Sequence, residues 1–147
     1  MKFFTRTLCE YVQSIEAPEM LWEPAIKSYD EHLRQIKPML PPRMGELADN
    51  TLHDSVVLDV TRPTASTCAI QLDARQSTGR YRGLVRLTFL GVRAVTVTNV
   101  LVGDYWLYEE VHLHPSAAFE YAVLLFRSEL SIVADDVEVV EIPAREI

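Results

Sequence analysis

From residue 52 onward the apolar residues recur every second position, in short runs separated by breaks too brief to hold a helix. Seven strands are predicted, over 55–61, 67–73, 81–90, 93–101, 105–113, 118–126 and 130–142. The breaks carry turn formers: Arg62-Pro63-Thr64, Ser77-Thr78-Gly79, Gly91, Gly103-Asp104, His114-Pro115-Ser116 and Arg127-Ser128. Parallel neighbours need a crossover of a dozen or more residues, so the prediction is an antiparallel meander sheet of about six to seven strands. On the second run Cys68, Ile70 and Leu72 share one face, and on the third Val85, Leu87 and Phe89 do. Trp106, Tyr108, Leu124 and Phe126 make the second face of the later runs apolar too, which calls for a cover, either a curling sheet or another chain.

The first fifty residues have helical spacing instead. Thr5 is the predicted N-cap of a helix whose stripe is Leu8, Val12 and Ile15 and which stops before Pro18. A second helix carries Trp22, Ile26, Tyr29, Leu33, Ile36 and Leu40 on one face, with Pro24 placed in its first turn. Pro38, Pro41 and Pro42 close it, and 41–51 is a connector with a helical turn near Glu46 to Asp49. The fold class is therefore α+β, one domain over 1–147: a helical part, 1–50, on one face of a sheet part, 52–143. At this length a hydrophobic core carries the fold without disulfides or metals.

Cys9 and Cys68 sit in apolar-periodic segments and read as buried thiols of a reducing compartment. The start lacks the apolar core of a secretory signal, and no apolar run nears the roughly 18 residues of a membrane span, so the expectation is a cytoplasmic protein with no membrane partner. The net charge is −7, unevenly spread: −2 over residues 1–50, +3 over 51–102 and −8 over 103–147. Acidity opposes nucleic-acid binding. The run Arg82-Gly83-Leu84-Val85-Arg86-Leu87-Thr88-Phe89 partly resembles an RNA-recognition motif, but Leu84 and Arg86 stand where stacking aromatics belong.

Three constellations could carry chemistry. His112-Leu113-His114 puts two imidazoles on one strand face beside Glu110, and His53 could complete a metal site if folding brings it near. Leu52-His53-Asp54 offers an acid–base pair, although adjacent strand residues point to opposite faces and no activated nucleophile accompanies it. The bland reading is that His53 or Asp54 bonds local backbone to fix the turn. Asp135-Asp136 with Glu138 and Glu141 lacks the central glycine of a calcium loop and reads as a bend within a strand. Trp106 and Tyr108, two apart, read as a packed sheet face or as interface anchors with Glu109 and Glu110 beside them.

Four segments carry a resemblance: Met1-Lys2-Phe3-Phe4-Thr5, Leu52-His53-Asp54, Asp104-Tyr105-Trp106-Leu107-Tyr108-Glu109-Glu110 and Leu130-Ser131-Ile132-Val133-Ala134-Asp135-Asp136-Val137-Glu138. Together they resemble a small bacterial family of unknown function, distantly similar to immunity-type proteins of bacterial toxin systems. The resemblance implies an α+β fold, a bacterial cytosol and a binding role, with no catalytic residues. The expectation is a non-enzymatic protein-interaction domain without cofactor, an immunity protein for a basic toxin, with Trp106, Tyr108, Glu109 and Glu110 at the contact. The alternative is a small metal-dependent hydrolase or ligand-binding domain built on His53, His112 and His114. A homodimer joined through the second sheet face is compatible with both.

Overall fold

Cys68, Ile70 and Leu72 of β2 (Thr67–Asp73) lie directly opposite Phe89, Leu87 and Val85 of β3 (Leu84–Leu90), and all six are fully enclosed. The alternation thus identified the inner rows of the sheet. The computed structural model describes residues 1–13 and 19–143. The architecture is α+β with antiparallel pairing throughout, but the strands form two four-stranded sheets rather than one meander. One has the order β1 (Val56–Thr61), β2, β3, β8 (Asp136–Ile142). The other has the order β4 (Ala94–Val97), β7 (Glu129–Ala134), β6 (Ala117–Leu125), β5 (Trp106–His114).

The division comes from two corners, of which the turn residues marked Gly91 as a break but gave no sign of the one at Asp135. The run predicted as one strand over 130–142 breaks at Asp135, which passes the chain from β7 into β8, and Gly91 to Arg93 pass it from β3 into β4. The ladder continues round the corner through Asp135 N–H to Leu90 O at 2.9 Å and Arg93 N–H to Val133 O at 2.8 Å. Gly91 has φ +63°, and a Cβ there would lie 2.8 Å from Asp135 Cβ, so only glycine fits. At the opposite side β1 and β5 are stitched by Val57 N–H to Asp104 O, Gly103 N–H to Val57 O and Trp106 N–H to Ser55 O. The sheets therefore roll around one core, in which Phe89 and Trp106 both pack on Tyr121.

Thr5 caps α1 (Arg6–Gln13) as predicted, its Oγ1 accepting the Leu8 N–H at 3.1 Å. Ile15 and Pro18 lie outside the described residues. α2 (Glu19–Ile36) begins early enough that Pro24 lies inside it rather than in its first turn. A 3-10 turn (Lys37–Met39) follows, and Pro42 starts a further helix, α3 (Pro42–Ala48), where the missing N–H is harmless. Met44 and Leu47 of α3 enter the core. α2 covers the free edge of β5: Tyr29 Oη accepts the Val111 N–H at 3.0 Å, and His32 Nε2 lies 3.0 Å from Val111 O. A strand edge that would otherwise invite another chain is thereby closed. Among the described residues no helix is long and apolar enough to cross a membrane.

Candidate functional site

The pairing of β5 with β6 slips between Trp106 and Tyr108, so the two aromatics face opposite sides despite their spacing. Trp106 turns inward and is fully buried, as is Val111. Tyr108, Glu110 and His112 form the outer row, under the helices. Of the four residues expected at a partner surface, Trp106 belongs to the core and Glu110 is 0% exposed. A second slip between His112 and His114 turns the latter into the hairpin, where Nδ1 accepts the Ser116 N–H at 3.1 Å.

Glu110 organises the outer row. Its carboxylate accepts the N–H groups of Lys2 at 2.7 Å, Phe3 at 2.5 Å and Phe4 at 2.7 Å, and lies 3.3 Å from His112 Nε2. Burial raises the Glu110 carboxyl, but the hydrogen bonds from His112 and the three amides together outweigh it and hold the group below the usual carboxylate range. Phe3 stacks on His112, and His32 lies 4.8 Å from His112, ring to ring. His112 is thus a packed partner of Glu110.

Glu109 is partly buried and takes hydrogen bonds from Leu52 N–H at 3.1 Å and Trp106 Nε1–H at 3.0 Å. Burial pushes its carboxyl up to about 7, against the lowering influence of those donors and of His53. The same loop carries His53 and Asp54. Asp54 has φ +68°, a left-handed conformation that aspartate tolerates better than most residues. This rotation removes the opposite-faces objection: His53 Nε2 lies 3.5 Å from Asp54 Oδ1. The pair's backbone contacts reach β5 rather than the local turn that was expected: His53 Nδ1 lies 2.6 Å from Leu107 O and the main-chain Asp54 N–H donates to Trp106 O.

His53 and Asp54 open on a groove of about 500 Å³ whose other walls are Cys9, Val12 and Gln13 of α1, Trp22 of α2, and Leu107 and Tyr108. That is within the size range of ligand sites, about 300–1,000 Å³. Trp22 meets Tyr108 edge-on at 4.6 Å, and Tyr108 also packs on Phe4 and His53. Burial raises the Cys9 thiol, with Arg6 opposing less strongly, which is the reverse of what activates a nucleophile. Among the described residues no three His, Cys, Asp or Glu side chains are grouped to hold a metal ion. His53, His112 and His114 sit at the groove, under the N-terminal segment and in the hairpin respectively.

The acidic C-terminal third is largely answered within the chain. Asp135 pairs with Arg93 at 2.9 Å, Asp136 and Glu138 flank Arg43, and Glu141 accepts the Arg82 N–H. Asp104 takes the Arg127 N–H and the Ser128 hydroxyl. Asp54 differs: among the described residues no arginine or lysine pairs with it, His53 Nε2 is the group beside it, and its side chain is 49% exposed. Sequence reasoning placed Trp22 on a helix stripe and missed its place in the groove wall, because that depends on how α2 crosses β5. His32 and the anchoring of residues 2–4 were missed for the same reason.

Residues 10–132 match the model of a family described as Protein of unknown function (DUF4085). No curated protein shows significant similarity to the chain.

Proposed function

The chain belongs to the DUF4085 family, and from that premise we propose that it is a non-catalytic protein-interaction domain whose partner docks in the groove between α1, α2 and β5. The observation that carries this reading is the groove itself: aromatic and aliphatic walls from Val12, Trp22, Leu107 and Tyr108, with polar groups at Gln13, His53 and Asp54. Apolar walls with a few placed polar groups are what a binding site needs to combine affinity with orientation. A raised thiol at Cys9 supports binding over covalent chemistry. Asp54 favours a basic partner, and a bacterial toxin neutralised by an immunity protein is the kind of partner this reading selects.

Capture of proteins from a bacterial host of the family by the tagged full chain tests the proposal, with products of neighbouring genes examined first. Trp22→Ala is compared with Arg86→Ala, an exposed change on the far face of β3. The expected result is a basic protein retained by the wild type and Arg86→Ala and lost by a folded Trp22→Ala. Equal retention by both variants, or no retained protein, overturns the reading.

A further inference from the structure

The two ring nitrogens of His53 have different neighbours. Nδ1 lies 2.6 Å from the Leu107 carbonyl oxygen, which can only accept, so this nitrogen carries the hydrogen and donates it. In the neutral ring Nε2 is then a bare acceptor, and it faces a second acceptor, Asp54 Oδ1, at 3.5 Å. Two acceptors turned toward each other are satisfied by a donor that reaches both. Among the described residues His53 is the side chain that meets the Asp54 carboxylate, and both groups open on the groove.

We infer that this corner receives the guanidinium of an arginine presented by the protein partner, one N–H going to His53 Nε2 and another to Asp54 Oδ1. The methylene stem then lies along Val12, Trp22 and Leu107. This rests on the binding-domain reading and deepens it by naming the group that the partner supplies. Arginine fits better than lysine because its donors are held in a rigid fork, it keeps its charge, and it is weakly hydrated and so enters a partly apolar groove more readily. An anionic group is excluded by Asp54, whose carboxylate is not neutralised by any arginine or lysine among the described residues.

The experiment is an NMR titration of the full chain with a blocked Gly-Arg-Gly peptide, its lysine counterpart and its citrulline counterpart, which keeps the shape of arginine without the charge. The arginine peptide is expected to shift the Trp22 indole and Asp54 amide signals, with roughly millimolar affinity. Its preference over citrulline is expected to be about tenfold, one charge-assisted hydrogen bond's worth of discrimination. Asp54→Asn, whose residue also adopts the left-handed backbone readily, should bring arginine down to the citrulline level. Equal binding of arginine and citrulline, a lysine peptide binding as tightly as arginine, or a preference that survives Asp54→Asn overturns the inference. If Trp22-dependent capture of a protein persists while the arginine preference is missing, the guanidinium assignment alone falls. Loss of Trp22-dependent capture removes the binding-domain reading itself.

Discussion

The Phe4 N–H donates to Glu110 Oε1 at 2.7 Å, tying the start of the chain to β5 across 106 positions. Lys2 and Phe3 donate to the same carboxylate, so replacing it leaves three amides without their acceptor. Glu110→Ala should cost about 2–4 kcal/mol, with Glu110→Gln costing less because one oxygen remains. Urea unfolding checks this as a lowered midpoint at unchanged slope. The pH sign follows from the lowered carboxyl. A group held below its unfolded value contributes stability that is present above that value and lost as pH falls through the folded one. The wild type should therefore lose stability below about pH 4.5, and Glu110→Gln should lose less over the same interval.

Glu109, the next residue, behaves in the opposite sense. Its carboxyl is pushed up to about 7 from 4.5, chiefly by burial, so ionising it opposes folding. The associated stability is fully present below pH 4.5 and declines as pH rises through about 7. The decline should be about 2–3 kcal/mol, reduced by the solvent that reaches this partly buried group. Unfolding followed at pH 5, 6, 7 and 8 should show that slope in the wild type and a flatter profile in Glu109→Gln. An unchanged slope in the variant would assign the titration to another group.

Gly91 makes the corner between the two sheets. Any side chain there must adopt φ +63° and push into Asp135. The left-handed conformation alone costs about 1–2 kcal/mol, and Gly91→Ala should exceed that because of the collision with Asp135 Cβ. Thermal unfolding of Gly91→Ala against Gly103→Ala separates the two contributions. Gly103 also has positive φ, but a Cβ there meets nothing within 4 Å, so only the conformational cost applies.

These residues also mark what was legible in the sequence. The period-two rows of β2 and β3 and the Thr5 cap depend on local spacing and local hydrogen bonds, and they could be read directly. The break at Asp135 could not, because Val133 and Val137 keep alternating through it as they would in one strand, and Gly91 was legible as a break but not as a passage between sheets. The groove was half legible. Leu52-His53-Asp54 stood out by residue type, but bringing His53 and Asp54 together required a left-handed backbone that no neighbouring glycine announced. Trp22 reached the site through the crossing of α2 over β5, a tertiary relation without a local sign. The charge of −8 over residues 103–147 was correctly counted and pointed outward, whereas much of it is used to pair with Arg43, Arg93 and the N-terminal amides.

The slip in β5 at Leu107 gives the two tryptophans separable roles, and fluorescence can tell them apart. Trp106 is fully buried against Tyr121, with its indole N–H on Glu109, whereas Trp22 stands partly exposed in the groove wall. In Trp22→Phe the remaining emission should be blue-shifted and resistant to acrylamide, and in Trp106→Phe it should be red-shifted and readily quenched. Trp106→Phe should also destabilise by about 1–3 kcal/mol, since the smaller ring leaves a void and strands the hydrogen-bonding capacity of Glu109. Trp22→Phe keeps an aromatic at the groove and should change stability by less than about 1 kcal/mol. Were the strand regular, Trp106 and Tyr108 would share a face and Trp106 would be quenched alongside Trp22. Quenching of Trp106 in the folded Trp22→Phe protein is therefore the result that would remove the bulge, and with it the separation of core from groove.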